Sequence, residues 1–380
     1  MDNWTEYTLG ELLAYEQPTP YIVKSTDYND KYKTPVLTAG KSFVLGYTNE
    51  DFGIYNSLPV IIFDDFTTAT QYVDFPFKAK SSAMKILTAN TELVLPKYIF
   101  YRMQIIRFDS STHKRYWIQQ YSKIKVQIPP ILEQERIVAQ IEELLSQLDS
   151  SVKTLKKTKQ QLAVYRQALL KDAFEGDFPH VLLGEIAQAL GGYAFKSNKY
   201  SADGKYVVVK IGNVKKFHLD FSRDYTKTIE ADDSILDRYL LKKGDCLITL
   251  TGSRGRRDYG YVAMITNQAN FLLNQRVAAL RFNSAVAVPE FYQYYLSSPD
   301  YRNQFFSYET GNVGQGNVGM KALSEPMVIC PAIEKQYQIV GMLDRRMSLC
   351  NSIEHTIDEA IKQAKVMRQS ILKQAFEGGR

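Results

Sequence analysis

The chain has 380 residues, of which 45% are hydrophobic and 23% charged, so it is long enough for two globular domains with real cores. Lys and Arg outnumber Asp and Glu by 47 to 41, a mild basic excess that is compatible with nucleic-acid binding without requiring it. Three cysteines without a CxxC pair and four scattered histidines argue against a disulfide scaffold and a zinc site. The N-terminal residues do not resemble a signal peptide and no apolar run reaches about 20 residues, so we expect a cytoplasmic protein.

The first segment, residues 1–128, has the pattern of a mixed α/β domain with many loops, and we call it the first globule. Strands are predicted over 34–38, 60–63 and 85–87, where short apolar runs are separated by glycines. A short helix is predicted over about 95–106.

A long helix is predicted next, from about residue 133 to residue 174, because no Pro or Gly occurs between Pro130 and Gly176. At 1.5 Å per residue this helix is roughly 60 Å long. Its seam of apolar or neutral residues at alternating spacings of three and four is typical of a supercoiled helix. The predicted seam is Ile141, Leu144, Leu148, Ser151, Leu155, Thr158, Leu162, Tyr165 and Leu169.

A second mixed α/β domain, the second globule, is predicted over 179–328. Its strands are predicted over 206–211, 246–250 and 277–282, and its short helix over 289–296.

The long helix occurs twice, because residues 129–176 align without a gap with residues 331–378, which lie 202 positions later. More than a third of the aligned positions are identical, so the chain repeats as globule, helix, globule, helix. The motif Leu9-Gly10-Glu11-Leu12 is also echoed by Leu183-Gly184-Glu185-Ile186. The second seam is predicted at Leu343, Arg346, Cys350, Ile353, Ile357, Ala360, Ala364, Met367 and Ile371.

The two helices are expected to pack on each other, since neither can bury its apolar seam alone. A coiled coil between two chains is the alternative that the pattern leaves open. Two helices with the same surface suit two identical partners, whereas two unlike globules suit two unlike targets.

No catalytic motif is evident in the chain. Gly314, Gly316 and Gly319 match the letters of a dinucleotide fingerprint, but no βαβ pattern surrounds them, which favours a turn. Asp64-Asp65 is interpreted as a turn at a strand end rather than a nuclease site. We therefore expect a non-catalytic chain without a cofactor or metal of its own.

Loops of basic, amide, hydroxyl and aromatic residues are the candidate DNA-binding sites, because Arg contacts guanine edges and phosphates and amides pair with adenine. In the first globule the candidates are Thr67, Thr68, Thr70, Gln71, Tyr72, Lys78, Lys80, Ser81, His113, Lys114, Arg115 and Tyr116. In the second globule they are Tyr193, Lys210, Asn213, Lys215, Ser253, Arg254, Arg256, Arg257, Tyr259, Asn274, Gln275, Arg276, Asn312, Gln315 and Asn317. For any one of these residues, a solvated loop without a DNA contact remains the alternative.

The chain resembles the specificity subunit of type I restriction-modification systems over nearly all of its length. The resemblance is carried by the Pro-x-Ile-x-x-Gln-x-x-Ile-Val starts of the two long helices and by their Leu-Lys-x-Ala-Phe-Glu-Gly ends. Patterns at 191–195 and 243–248 are similar to those of the family's recognition domains.

This resemblance implies an α+β fold with two mixed α/β target recognition domains, separated by two long helices that pack as an antiparallel coiled coil with an internal pseudo-twofold repeat. The expected segments are 1–128 (target recognition domain 1), 129–178 (spacer helix 1), 179–328 (target recognition domain 2) and 329–380 (spacer helix 2). Each recognition domain would contact one half of a bipartite, asymmetric site on double-stranded DNA. Half-sites on one face of a duplex lie about 34 Å apart, and the helices would set that separation.

The resemblance also implies partners that carry the chemistry. Two methyltransferase subunits would dock along the helices, bind S-adenosylmethionine and methylate adenine, while restriction subunits would use ATP and Mg²⁺ for translocation and cleavage.

Two other classes of function remain open at this point. A coiled-coil scaffold would bind proteins without DNA, and a self-sufficient nuclease or methyltransferase would act alone.

Overall fold

The structure is a computed structural model. It describes residues 3–38, 42–109, 115–201, 203–222, 228–312 and 314–377. These residues form two compact units: the first consists of residues 1–156 and 358–380, and the second of residues 157–357.

The first unit contains the first globule and parts of both long helices. Its elements are β1 (Thr5–Thr8), α1 (Leu9–Leu12), β2 (Leu13–Glu16), β3 (Thr34–Leu37), β4 (Val44–Thr48), β5 (Val60–Asp64), β6 (Thr70–Val73), β7 (Lys78–Ala79), β8 (Met84–Ala89), α2 (Pro96–Met103), β9 (Lys125–Ile128) and the start of α3 (Ile131–Ala173). A four-stranded antiparallel sheet has the order β2-β8-β5-β6, and a second sheet has the order β4-β3-β7 with β3 and β7 parallel. Strands β1 and β9 pair where the chain enters and leaves the globule.

The second unit repeats this order of elements. Its elements are β10 (His180–Leu182), α4 (Leu183–Ile186), β11 (Ala187–Gly191), β12 (Tyr206–Val209), β13 (Thr228–Ile229), α5 (Asp233–Tyr239), β14 (Cys246–Thr249), β15 (Thr251–Gly252), β16 (Val262–Met264), β17 (Phe271–Leu273), β18 (Val277–Phe282), α6 (Pro289–Tyr295), α7 (Pro299–Ser307), β19 (Glu309–Thr310), β20 (Gly316–Val318), β21 (Met327–Ile329) and the start of α8 (Ile333–Glu377). Sheet β11-β18-β14-β16 corresponds to β2-β8-β5-β6, and β13-β12-β17 corresponds to β4-β3-β7. The pair β10-β21 corresponds to β1-β9. The predicted repeat of globule and helix is therefore confirmed, as is the α+β fold class.

A buried glutamine fixes the start of each long helix in the same way. The side chain of Gln134 is fully buried; it accepts a hydrogen bond from the Leu95 amide at 2.8 Å and donates to the carbonyls of Leu93 (3.0 Å) and Pro129 (2.8 Å). All three groups lie in a buried or partly buried region, where a polar group needs a hydrogen-bond partner. The glutamine therefore ties the first turn of α3 to the loop that precedes α2.

Gln336 makes the equivalent bonds in the second unit. It accepts from the Val288 amide at 2.8 Å and donates to the carbonyls of Val286 (2.9 Å) and Pro331 (2.7 Å). The glutamine of the repeated helix-start motif thus has a structural role that is the same in both copies.

The helices run antiparallel in both units. In the first unit, residues near the start of α3, including Ile137 and Ile141, share one core with Leu372 and Phe376 near the end of α8. In the second unit, Leu169 and other residues near the end of α3 share a core with residues near the start of α8. The antiparallel packing of the two helices in one chain is as predicted.

The predicted seam is wrong at every second position. Ile141, Leu162 and Leu169 are buried as expected, but Leu144 and Tyr165 are exposed. The residue that follows an exposed position points inward instead, as Leu145 does with 4% exposure. Alternate seam positions therefore lie one residue later than the sequence pattern suggests.

The same shift occurs in α8, where Arg346 is exposed and Met347 is buried. Ile353 and Met367, also predicted in the seam, are exposed as well. An arginine in an apolar seam would be unfavourable, but Arg346 faces outward and Met347 occupies the seam position instead. Cys350, by contrast, is buried in the core as predicted.

Candidate nucleic-acid interface

The candidate loops of the first globule meet around Asp65, which directly follows β5. The Asp65 carbonyl accepts from the Tyr116 amide at 3.0 Å, its carboxylate accepts from the Trp117 amide at 2.9 Å, and its amide donates to the Ala83 carbonyl at 3.2 Å. The carboxylate also forms an ion pair of 3.2 Å with Lys85, and both side chains are at most 2% exposed. Loss of either partner would leave a buried charge unpaired and would destabilise the fold. The ion pair and the hydrogen bonds of Asp65 together connect three separate segments of the chain.

The candidate residues of these loops differ in accessibility. Exposed side chains belong to Thr67, Gln71, Ser81 and Arg115, and half-buried ones to Thr68, Thr70, Tyr72 and Lys80. Two further candidates, His113 and Lys114, lie outside the described residues.

Two candidates of the first globule are buried, and a direct DNA contact is excluded for them in this conformation. The Lys78 side chain is fully buried, pairs with Glu50 at 3.0 Å and donates to the Phe52 carbonyl at 2.6 Å. Tyr116 is 2% exposed and packs edge-on against Phe108. Both side chains therefore lie inside the protein, which the sequence pattern did not reveal.

In the second globule, a small sheet brings two candidate loops together. Strand β20 pairs with both β15 and β19, so that Thr251 and Thr310 both lie opposite Asn317. This places the arginine loop, residues 251–259, beside the polar hairpin 309–317. The exposed candidates in this cluster are Arg254, Arg256, Arg257, Asn312, Gln315 and Asn317, and Ser253 is half-buried.

The arginine loop is closed by internal hydrogen bonds. The Tyr259 hydroxyl, which is buried, donates to the Glu309 carboxylate at 2.6 Å. Burial, reinforced by this bond, raises the pKa of Tyr259, so that the hydroxyl remains a donor. The Asp258 carboxylate accepts from the Ser253 amide at 2.8 Å, and the hydrogen bonds from Ser253 lower the pKa of Asp258. Tyr259 is thus a support of the loop and not an accessible DNA contact, contrary to our expectation.

Helix α7 supplies a support that the sequence did not reveal. Arg302 donates to the carbonyls of Gly260 (2.7 Å), Arg257 (2.9 Å) and Tyr259 (3.1 Å). The signal that could have located α7 is Ser298-Pro299, since the serine caps the helix and proline occupies its first turn.

A second cluster of candidates surrounds Tyr193. The Tyr193 carbonyl accepts from the Gln275 amide at 2.9 Å and from the Asn274 side chain at 3.3 Å. The Arg276 carbonyl accepts from the Leu250 amide at 2.9 Å, directly before the arginine loop. The structure therefore connects these candidates to the arginine loop through the main chain.

Of the two candidates near the end of β12, one is structural. The fully buried Asn213 accepts from the Lys210 amide at 2.9 Å and donates to the Asp220 carbonyl at 3.1 Å, so it shapes a loop and is excluded as a direct DNA contact. Lys210 is half-buried, with its ammonium 4.1 Å from the centre of the Tyr200 ring.

The turn that contains Lys215 packs against β16 and α6, and its Lys216 and Phe217 line one cavity with Arg302. The Phe217 amide donates to the Val262 carbonyl at 2.8 Å, and the Phe217 ring lies 5.4 Å from that of Tyr294. Lys215 itself is half-buried. Lys215 therefore belongs to a turn that lies next to the end of the arginine loop.

The glycine motif is part of the small sheet, as the turn interpretation requires. Gly316 lies in β20, where a Cβ atom would be 2.4 Å from the Glu309 carboxylate and 2.7 Å from the Tyr259 hydroxyl. Gly314 adopts a φ of 94°, which favours glycine. Gly316 thus permits a close approach of protein groups, and the strands that pair with β20 are antiparallel, so the described residues here do not form a βαβ unit.

The described residues include no group of three or more His, Cys, Asp or Glu side chains that could hold a metal ion. No helix in the described part of the chain is long and apolar enough to cross a bilayer.

Comparison with known proteins identifies the family. The family model for the type I restriction modification DNA specificity domain matches residues 1–163 and again 176–363. The specificity subunit of the Escherichia coli type I restriction enzyme EcoR124I/EcoR124II is 34% identical over 385 residues, which covers 93% of this chain and 89% of that protein. The EcoKI specificity subunit of Escherichia coli strain K12 is 25% identical over 277 residues, covering 68% of this chain and 58% of that protein.

Solved structures share the fold over almost the whole chain. A chain from a study of complex assembly and conformational transition of the type I R-M system has a TM-score of 0.73 at 18% identity, covering 99% of this chain and 98% of that one. The HsdS subunit from Thermoanaerobacter tengcongensis has a TM-score of 0.55 at 19% identity, covering 99% and 97%. With the family model matched twice along its length, the chain belongs to the specificity subunits of type I restriction-modification systems.

Proposed function

We propose that each globule contacts one half of a bipartite, asymmetric site on double-stranded DNA, and that segments 1–128 and 179–328 are the two recognition domains. The observation that carries this proposal is that the two globules have corresponding sheets but different loops at those sheets. Corresponding sheets support hydroxyl- and amide-rich loops around Asp65 in the first globule and the arginine loop in the second. Side chains of these types contact base edges and phosphates.

The spacer segments, 129–178 and 329–380, are proposed to dock two copies of one methyltransferase subunit. Val164 and Val366 are equivalent residues of α3 and α8, and each is 69% exposed. Each is followed by another exposed apolar residue, Tyr165 at 49% and Met367 at 53%. Exposure of such apolar side chains to water is unfavourable unless a partner protein covers them. Because the two pairs lie at equivalent positions of the repeat, they support docking of two identical partners.

The catalytic activities are proposed to lie in the partners. Methyltransferase subunits would bind S-adenosylmethionine and modify adenine, and restriction subunits would use ATP and Mg²⁺. The absence of a recognisable catalytic motif in the sequence supports a non-catalytic role for this chain. A system of this kind acts on the DNA of its cell, so we propose a cytoplasmic location.

The experiment that tests this function is binding of DNA by the chain purified with its methyltransferase subunits. Labelled duplexes that contain the methylated site are compared with scrambled duplexes at several salt concentrations. We expect a clear preference for the site and an affinity that falls steeply with salt, because phosphate contacts release counterions. A complex that is assembled but binds both duplexes alike would favour a protein scaffold without DNA recognition.

A further inference from the structure

The guanidinium of Arg302 donates three hydrogen bonds to main-chain carbonyls at the end of the arginine loop. Its three hydrogen bonds reach the carbonyls of Gly260, Arg257 and Tyr259, at 2.7, 2.9 and 3.1 Å respectively. The same guanidinium lies 5.1 Å from the centre of the Phe306 ring, within the range of a cation–π interaction. One residue of α7 therefore holds the end of the loop by three hydrogen bonds and also contacts an aromatic ring.

The loop needs this support, because its backbone is strained. Arg257 has a φ of 52°, a strained conformation that a residue with a side chain rarely adopts. The flanking glycines Gly255 and Gly260 have φ values of 73° and 66°. Arg302 bonds the carbonyl of the strained residue itself, so it stabilises the tight turn that this backbone makes.

The three arginines of the loop differ in how they are used. Arg254 donates to the Gly311 carbonyl at 2.6 Å, and Arg257 donates to the Asn303 side chain at 2.8 Å. The Arg256 side chain is exposed, and its charge helps to lower the pKa of the nearby Asp258 carboxyl. Unlike its two neighbours, it forms no side-chain hydrogen bond to another residue in the described part of the chain. Two arginines thus brace the loop, and the one between them keeps its donors available.

We propose that Arg302 is a positioning residue that presents Arg256 to the DNA, and that Arg256 is the arginine of this loop that contacts a base edge or phosphate directly. This inference rests on the proposed recognition function and assigns roles within it. A guanidinium has a rigid fork of donors that reaches several carbonyls at once, whereas the ammonium of lysine is a point charge. A preorganised loop binds DNA more tightly than a mobile loop, because it loses less conformational entropy on binding.

A double-mutant cycle on DNA affinity tests the coupling. The full chain is purified with its methyltransferase subunits as wild type, Arg256→Gln, Arg302→Gln and the double variant. Binding to the site methylated by the wild-type complex is measured at several salt concentrations. We expect Arg256→Gln to weaken binding about tenfold and to lower the salt slope by about one. Arg302→Gln is expected to weaken binding about fivefold, and the double variant to bind like Arg256→Gln alone.

Three further measurements make the outcome decisive. Arg302→Lys keeps the charge and is expected to behave like Arg302→Gln; full recovery of affinity would overturn the positioning role. Arg238→Gln removes an exposed arginine of α5 and is expected to bind as the wild type does. Thermal unfolding monitors folding, and Arg302→Lys replaces Arg302→Gln in the cycle if the latter does not fold.

The failure of this inference is distinguishable from that of the proposed function. If the effects of Arg256→Gln and Arg302→Gln multiply, or if Arg256→Gln binds normally, the role assignment is overturned while site preference persists. If the wild-type complex itself shows no preference for the site, recognition by the chain is overturned.

Discussion

Arg166 of α3 donates a hydrogen bond to Asn351 of α8 at 2.8 Å, and its equivalent in the other helix, Arg368, donates to Asp149 at 3.0 Å. Asn351 and Asp149 are themselves equivalent positions of the repeat. The two arginines are also equivalent positions of the repeat, so the repeated helices make the same kind of contact in both units. The repeated polar residues thus help to specify how the helices pair.

Glu354 strengthens this contact in the second unit, since it pairs with Arg166 and also with Lys159 at 3.3 Å. The hydrogen bond from Arg166 is the main cause that holds the pKa of Glu354 below its ordinary value, and Lys159 adds to it. We expect Glu354→Gln to lower the free energy of unfolding by about 0.5–1 kcal/mol at pH 7.

The pH dependence of this effect has a defined sign. A carboxyl group with a depressed pKa stabilises the fold above its ordinary pKa, and the contribution is lost as pH falls through the folded-state value. Thermal unfolding of wild type and Glu354→Gln should therefore differ at pH 7 and converge under acid conditions. Glu359→Gln, which removes a pair within one helix, is the control and should change stability by less than about 0.5 kcal/mol. A constant difference at all pH values would contradict this account.

Replacing either buried glutamine at a helix start should destabilise the protein. Gln134→Ala and Gln336→Ala each leave one amide and two carbonyls buried without their partner, and we expect a loss of about 2–3 kcal/mol in each case. The exposed side chain of Gln147 donates to Glu143 of its own helix, so Gln147→Ala is a matched control with little expected effect. Unfolding midpoints provide the comparison, and equal midpoints for all three variants would refute the role assigned to the buried pair.

The exposed valines of the helices test the docking proposal. Val164→Asp and Val366→Asp place a charge where an apolar contact is proposed, so each variant should lose one methyltransferase copy from the purified complex, and the double variant both. Mass measurement of the complex gives the copy number. Lys153→Asp, on an exposed position of α3, should leave two copies bound. Retention of both copies by the double variant would place the docking surface elsewhere.

A methyl group at Gly316 should disturb the arginine loop. Its Cβ would lie 2.4 Å from the Glu309 carboxylate, so we expect Gly316→Ala to cost about 1–3 kcal/mol and to weaken DNA binding. At Gly319 a Cβ atom would have no neighbouring atom within 4 Å, and Gly319→Ala should be nearly neutral. Unfolding and DNA affinity are measured for both variants. Similar behaviour of the two would show that close packing around Gly316 is unimportant.

The architecture could be predicted from the sequence because it is repeated and periodic. Helix α3 spans Ile131–Ala173 against a prediction of about 133–174, and β18 has the predicted bounds, 277–282. The seam is harder to predict, because residues such as Leu144 and Leu145 are both apolar and the pattern cannot say which one faces the partner helix. Whether the segment bounds mark recognition domains stays a prediction.

The candidate site could be predicted only in part, because burial and internal pairing depend on distant segments. Lys78, Asn213 and Tyr259 have side chains suited to DNA, but each is satisfied by a partner that pattern does not reveal. Arg302 was missed for the opposite reason. It lies in a short helix that was not predicted despite its Ser298-Pro299 start, and its importance follows from its hydrogen bonds to three carbonyls of another segment.

The measurement that tests the central claim most directly is sequencing of modified adenine in cells that express this chain with its methyltransferase. We expect one bipartite motif with a fixed gap, and replacement of residues 179–328 by those of another specificity subunit should change one half of that motif and leave the other half and the gap intact. The contradicting result is the absence of a new modified motif while the same methyltransferase remains active with another specificity chain.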